Sequence, residues 1–144
     1  MIDSQLSLFG LFFSALFSAS ILPGGSEAVL AALMTRAAHD PLTLWVVATL
    51  GNALGGLSTW YLGVWMRRRW PGREVKHKYM SAVARVRVYG APALLFSWLP
   101  VVGDALCLAA GWLGTKKMPT IAFIVVGKGL RYAVIVVAMA MTVR

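Results

Sequence analysis

Four ionisable residues stand inside stretches of sequence that are otherwise apolar, namely Glu27, Asp104, Lys128 and Arg131. On insertion scales, a charged side chain at the centre of a membrane helix costs at least about 2.5 kcal/mol, so each needs a partner or water. Two buried ion pairs that merely hold the fold would be one explanation. Because buried pairs rarely stabilise a protein more than apolar packing does, we favour a functional site in which Glu27 and Asp104 exchange protons.

The two acids occupy the same position in a repeated pattern. Each lies four residues after a proline and directly before an alanine, within residues 23–28 and 100–105. Proline has no backbone donor and glycine weakens a helix, so the pattern predicts a broken helix at each acid. We expect Ser26 to cap a new helix that begins near Glu27, and the dipole at each helix start to stabilise the carboxylate. The predicted break residues are Pro23, Gly24, Gly25, Pro100 and Gly103.

Lys128 and Arg131 are three residues apart, so they share one face of a helix. Together with the helix starts they could hold a phosphate, and a phospholipid or polyprenyl phosphate headgroup fits such a site. Asn52 is polar at membrane depth, and we expect it to bond a free carbonyl at one of the breaks. The residues predicted to bind substrate are Lys128, Arg131, Asn52 and Ser26. The sequence offers no metal-ligand set, catalytic triad or nucleotide loop, so we expect neither an enzyme nor a cofactor.

The composition indicates that these residues belong to an integral membrane protein. Hydrophobic residues make up 59% of the 144 residues and charged residues only 13%, and the mean hydropathy is +0.73. Soluble domains carry about 25% charged residues. A single membrane domain is expected, and its predicted helices are 6–22, 27–37, 42–66, 74–89, 93–99, 104–112 and 120–143.

The predicted helix 27–37 is too short to span a membrane. It extends about 16 Å, roughly half of a ~30 Å hydrocarbon core, so we expect a re-entrant hairpin with the helix before it. A second hairpin is expected around Asp104, because it keeps Lys116 and Lys117 on the same side as the other basic residues. The fold class is therefore all-α with two inverted repeats, residues 1–66 and 91–144, each a hairpin followed by a transmembrane helix.

Residues 67–90 are predicted to form a basic loop with an amphipathic helix that rests on anionic lipid headgroups. Because cytoplasmic loops carry an excess of Lys and Arg, this loop is expected to be cytoplasmic. The net charge of +9 is better explained by this role than by nucleic acid, since no nucleic-acid-binding motif accompanies it. The predicted membrane-surface residues are Arg67, Arg68, Arg69, Arg73, Lys76, Lys78, Arg85 and Arg87.

Gly51 and Gly55 form a G-x-x-x-G pair, which allows another backbone to approach closely. The predicted helix-packing residues are Gly51, Gly55, Gly56 and Gly111. They could serve packing within the chain or the seam of a homodimer. A homodimer is expected, because two hairpins and two spans make a thin bundle.

Taken together, these motifs resemble the DedA superfamily (the SNARE-associated or VTT domain), and most closely its short YqaA-like branch of bacterial inner-membrane proteins. The resemblance covers nearly the whole chain and is carried by residues 22–27, 51–56, 97–104, 110–112 and 127–132. It implies two inverted re-entrant hairpins in a multi-pass protein of the bacterial inner membrane. It also implies movement of lipids such as undecaprenyl phosphate or phosphatidylethanolamine, coupled to the proton gradient, with Glu27 matching the family's first acid.

The chain departs from the family pattern at two positions. Typical members carry arginine three residues before and three residues after the second proline, where this chain has Ser97 and Gly103. Lys128 and Arg131 are expected to take over the cationic role. Two other functions stay open, a small cation–proton antiporter and a non-transporting assembly or lipid-organising factor.

Overall fold

The computed structural model describes residues 2–18, 24–37, 39–72, 74, 77–99 and 101–142. Within these ranges the chain is helical and contains no strand, which confirms the all-α prediction. The predicted break residues Pro23 and Pro100 lie outside the described residues, as do Arg73, Lys76 and the side chain of Lys78.

Six α-helices and two 3-10 helices cover most of the described residues. The α-helices are α1 (Ile2–Ser18), α2 (Gly25–Thr35), α3 (Pro41–Arg69), α4 (Met80–Tyr89), α5 (Val102–Leu113) and α6 (Lys117–Thr142), and the 3-10 helices are His77–Tyr79 and Ala91–Trp98. In the described part of the chain, α3 and α6 are long and apolar enough to span a membrane. The re-entrant course of the shorter helices and the inverted repeat stay predictions.

Both long helices extend into basic residues at one end. α3 was expected over 42–66 and continues through Arg69, and α6 was expected over 120–143 and begins at Lys117. Lys and Arg are good helix formers, so a helix continues past the point where its apolar run stops. Pro41 opens α3, as its position suggests.

The predicted amphipathic helix 74–89 is shorter than expected. Glu74 lies outside regular structure, and α4 begins only at Met80 after a 3-10 turn. The buried residues of α4 are Ala82, Val83 and Val86. The helix therefore forms where an apolar face meets the core, because a short helix depends on packing rather than on propensity.

The segment predicted as the helix 93–99 is instead a 3-10 helix, Ala91–Trp98. Leu94 and Ser97 are both fully buried and lie three residues apart. A 3-10 helix has three residues per turn, so it places these two side chains on the same face.

The chain divides into two compact units. Residues 1–55 and 128–144 form the first unit, whose core includes Leu11, Leu30, Leu44 and Tyr132. Residues 56–127 form the second unit, whose core includes Val86, Leu94, Leu106 and Ile124. The division into repeats 1–66 and 91–144 stays a prediction.

Two of the predicted packing glycines lie in close helix contacts inside their own unit. A Cβ atom on Gly51 would stand 2.5 Å from the carbonyl oxygen of Phe12 in α1. A Cβ atom on Gly111 would stand 2.9 Å from the amide nitrogen of Val64 in α3. Gly55 and Gly56 are buried as well. These contacts favour packing within the chain over a dimer seam at Gly51 and Gly111, and the homodimer itself stays a prediction.

Candidate functional site

The start of α2 positions the first acid. Gly24 is the N-cap residue and has a φ of 101°, a left-handed conformation that glycine adopts without strain. No side chain caps this helix, so the prediction that Ser26 does so is wrong. Because α2 begins at Gly25, Ser26 lies inside the first turn. Glu27 follows it in that turn, where the helix dipole favours a carboxylate.

Glu27 forms an ion pair with Arg131 of α6. The Arg131 Nε donates to Glu27 Oε1 at 2.8 Å, and Nη2 donates to the same oxygen. The Arg131 side chain is 10% exposed and that of Glu27 is 37% exposed. Both partners were predicted site residues, and the fold brings them together across 104 positions of sequence.

The sequence neighbours of the ion pair, Ser26 and Tyr132, belong to a chain of buried hydrogen bonds. Asn52 Nδ2 donates to the Tyr132 hydroxyl at 2.8 Å. The same hydroxyl lies 2.8 Å from Ser26 Oγ, and either group can be the donor. All three side chains are fully buried. We expected the Asn52 side chain to bond a free carbonyl. Its Nδ2 group donates to the Tyr132 hydroxyl instead, so this prediction is wrong.

Tyr132 was not predicted as a site residue. It directly follows Arg131, so Ser26–Glu27 on α2 and Arg131–Tyr132 on α6 form two adjacent cross-helix pairs. A tyrosine in an apolar helix usually finds a partner for its hydroxyl when buried, and this rule was the available signal. The Gly-Lys-Gly-Leu-Arg-Tyr segment alone does not reveal which partner it finds.

Two buried acceptors face no donor in this unit. Asn52 Oδ1 and Thr49 Oγ1 have no hydrogen-bond partner among the described residues. They lie three residues apart on α3, hence on one face. α6 packs nearby, since Trp45 Nε1 donates to the Gly129 carbonyl at 2.9 Å and a Cβ on Gly129 would lie 3.5 Å from Thr49 Cγ2. Buried acceptors of this kind bind water or a donor group of a ligand.

The other predicted site residues occupy different surroundings. Lys128 is buried in the first unit, with 1% exposure. Asp104 lies in the second unit, half-buried in the first turn of α5. The prediction that Asp104 and Lys128 join Glu27 in one site stays a prediction. Within the described ranges, no three His, Cys, Asp or Glu side chains are placed to hold a metal ion.

Ser97 and Gly103, the two positions where the resemblance described above would lead us to expect arginine, touch each other. A Cβ atom on Gly103 would stand 2.9 Å from Ser97 Cα, so the start of α5 lies directly on the 3-10 helix. Ser97 is fully buried, and its Oγ has no hydrogen-bond partner among the described residues. Val101, the N-cap residue of α5, has a φ of 66° and a ψ of −53°, which is strained for a β-branched residue.

The predicted membrane-surface residues that the structure describes lie at helix ends and on exposed faces. Arg67, Arg68 and Arg69 form the last turn of α3 and are exposed. Arg85 and Arg87 are exposed on α4. These positions fit contact with lipid headgroups.

The chain is similar to three curated bacterial proteins. It is 45% identical to the inner membrane protein YqaA of Escherichia coli over 136 residues, which is 94% of this chain and 93% of that protein. The same figures hold for YqaA of Shigella flexneri. An uncharacterized protein of Haemophilus influenzae is 42% identical over 133 residues, or 88% of this chain and 83% of that protein. No family model and no solved structure matches the chain.

Proposed function

Because the chain belongs to the family of bacterial inner membrane proteins that includes YqaA, we propose that it is a proton-linked transporter of a lipid or lipid phosphate. The substrate class comes from the chemistry of the first unit, where a guanidinium group is held by one carboxylate. The resemblance to the DedA superfamily supports the same substrate class, since its members are thought to move undecaprenyl phosphate and phosphatidylethanolamine.

The Glu27–Arg131 ion pair carries the proposal. A guanidinium group binds phosphate through the same donors that it offers to a carboxylate. Glu27 and a phosphate group therefore compete for Arg131. Protonation removes the negative charge of Glu27 and releases the Arg131 donors for phosphate. The partial exposure of Glu27 gives the carboxylate access to protons, while Arg131 stays largely buried.

Competition of this kind fixes the sign of the coupling. Phosphate binding and Glu27 protonation favour each other. The coupling is reciprocal, because each event changes the binding free energy of the other by the same amount. A proton and a phosphate group would thus occupy the site together and leave it together. This is co-transport, and it predicts that the lipid moves in the direction in which protons flow.

The hydrogen-bond chain gives the site a rigid frame. Tyr132 fixes Ser26 of α2 to Asn52 of α3 through its hydroxyl. Arg131 is the neighbour of Tyr132, so its backbone keeps a defined position when Glu27 releases the guanidinium. Asn52 Oδ1 is an acceptor that a donor group of the cargo, such as an ammonium headgroup, could use. The acyl or prenyl tails would stay in the bilayer.

Lipid translocation in proteoliposomes tests the proposal. Fluorescent phosphatidylethanolamine and polyprenyl phosphate are followed with and without a pH gradient, in wild type, Glu27→Gln, Arg131→Gln and Asp104→Asn. Glu74→Gln and Arg87→Gln are matched controls, because both residues are exposed and lie outside the first unit. Size-exclusion chromatography and thermal unfolding check that each variant is folded.

Wild type and both controls are expected to move at least one lipid, faster when protons flow with it. Glu27→Gln should lose the dependence on the pH gradient, and Arg131→Gln should lose transport. A well-folded wild type that moves neither lipid would overturn the proposal. Equal rates in Glu27→Gln and Glu74→Gln would overturn the assigned role of the ion pair.

A further inference from the structure

The second unit contains a cavity of about 620 Å³ that is separate from the Glu27–Arg131 pair. The lining groups that matter are three cations, two aromatic rings and two hydroxyls, from Arg67, Arg68, Lys117, Trp60, Tyr61 and Thr115. We propose that this cavity binds a phosphate group, carried either by an anionic lipid or by a free phosphate. Its volume falls in the range of about 300–1,000 Å³ that is usual for ligand sites.

The electrostatics of the cavity favour an anion. No acidic side chain lines it, and within the described ranges Arg67, Arg68 and Lys117 form no ion pair. Basic pockets between membrane helices on the cytoplasmic side are known to bind anionic headgroups. Each Lys or Arg near a membrane surface contributes about fivefold to the affinity for anionic lipid.

Two of the three cations have contacts that help to position them. Gly114 ends α5 with a φ of 72°, and a Cβ atom there would stand 3.1 Å from the guanidinium carbon of Arg67. The absence of a side chain at Gly114 lets the guanidinium of Arg67 lie against the turn between α5 and α6. Lys117 Nζ lies 5.7 Å from the centre of the Tyr61 ring, within the range of a cation–π contact.

The polar wall of the cavity is fixed as well. Trp60 Nε1 donates to Thr115 Oγ1 at 3.3 Å, and Thr115 Oγ1 donates to the Ala110 carbonyl at 3.2 Å. The Thr115 and Thr120 hydroxyls lie 2.8 Å apart. Trp and Tyr concentrate where membrane meets water, so the ring pair suits a site at the headgroup level. The cavity therefore combines cationic side chains with an interfacial wall.

Native mass spectrometry of the detergent-solubilised chain tests the proposal with phosphatidylglycerol, and phosphatidylcholine serves as the zwitterionic comparison. Arg68→Gln/Lys117→Gln removes two cavity cations, and Arg85→Gln/Arg87→Gln removes the same charge from the exposed face of α4. Loss of two cations predicts an affinity for phosphatidylglycerol about 25-fold weaker in the cavity variant. The α4 variant should lose no more than about twofold, because its charges lie outside the cavity.

A charge-preserving variant separates binding from folding. Arg68→Lys/Lys117→Arg keeps both cations and should bind phosphatidylglycerol within about threefold of wild type, since the affinity comes mainly from charge. Equal affinities in wild type and the cavity glutamine variant would overturn the proposal. Equal losses in the cavity and α4 variants would also overturn it, because the attraction would then be that of net charge alone.

Inorganic phosphate distinguishes the two sources of the phosphate group. If it displaces phosphatidylglycerol, the cavity recognises phosphate itself. If phosphatidylglycerol resists displacement and diacylglycerol does not bind, the site needs a phosphate on a lipid. Binding in the cavity is measured by the difference between wild type and the cavity glutamine variant, and transport is measured separately in proteoliposomes, so failure of transport and failure of this site are distinguishable.

Discussion

Tyr132→Phe removes one hydroxyl from the buried junction of α2, α3 and α6, and its effect can be worked out from the contacts. The hydroxyl accepts from Asn52 Nδ2 and shares a hydrogen bond with Ser26 Oγ. Hydrogen bonds between membrane helices average about 0.6 kcal/mol, so the loss of both amounts to about 1.2 kcal/mol. The substitution also leaves the Asn52 amide and the Ser26 hydroxyl buried without this partner, which costs about 1–3 kcal/mol for a group.

We therefore expect Tyr132→Phe to lower the free energy of unfolding by about 2–4 kcal/mol, the sum of the two lost hydrogen bonds and one unsatisfied group. Reversible unfolding by SDS in mixed micelles, followed by far-UV circular dichroism, measures it. Tyr89→Phe is the matched control, because Tyr89 is 68% exposed at the end of α4. The control should lie within about 0.5 kcal/mol of wild type.

A double-mutant cycle gives the sharper test. In a Ser26→Ala/Asn52→Leu background the Tyr132 hydroxyl has already lost both partners, so Tyr132→Phe should cost less than about 0.5 kcal/mol. Full additivity between the two sets of changes would refute the network. So would a Tyr132→Phe variant as stable as the Tyr89→Phe control.

Four further substitutions test other contacts by the same unfolding assay. Gly111→Ala forces a Cβ atom against the backbone of α3 and should destabilise by about 1–3 kcal/mol. Gly10→Ala should instead be neutral or stabilise by up to about 1 kcal/mol, because a Cβ atom there meets nothing within 4 Å. Val101→Gly relieves the positive φ and should stabilise by about 1 kcal/mol; a loss would show that the local strain has been misjudged. Ser97→Arg should destabilise the protein by more than about 3 kcal/mol, because it places an unpaired charge at a fully buried position. A Ser97→Arg variant as stable as wild type would refute the burial of this side chain.

The sequence predicts the features that depend on composition and local chemistry. The apolar runs locate α3 and α6, Pro41 locates the start of α3, and the isolated charges identify Glu27 and Arg131 as site residues without showing which cation Glu27 pairs with. Sequence alone does not identify the contacts between residues on different helices. Whether Glu27 pairs with Lys128 or with Arg131 is decided by the packing of α2 on α6, which leaves Arg131 facing the carboxylate.

The errors have a common physical cause. Ser26 was expected to cap α2 because its type suits that position, yet Gly24 already supplies the left-handed turn that starts the helix. The helix starts two residues earlier than predicted, so Ser26 lies inside the first turn and its hydroxyl contacts Tyr132. The amphipathic helix was expected from Glu74, but the buried face of α4 begins only near Ala82. In both cases tertiary contacts decide what local propensity leaves open.

The contact between Ser97 and Gly103 restricts where this chain can bind an anion. An arginine at Gly103 would need the 3-10 helix and α5 to separate, and an arginine at Ser97 would need room in the core, so neither cation can be supplied by simple exchange. Two sets of described cations differ in their surroundings. Arg131 pairs with Glu27, whereas no acidic side chain of the described residues lines the cavity that Arg67, Arg68 and Lys117 share. Only Arg131 should bind phosphate in competition with an ionisable acid, Glu27. Phosphate binding in the first unit should therefore strengthen as Glu27 is protonated, whereas binding in the cavity should not follow that titration. A pH series of phosphatidylglycerol binding in Arg131→Gln, compared with the cavity glutamine variant, separates the two behaviours.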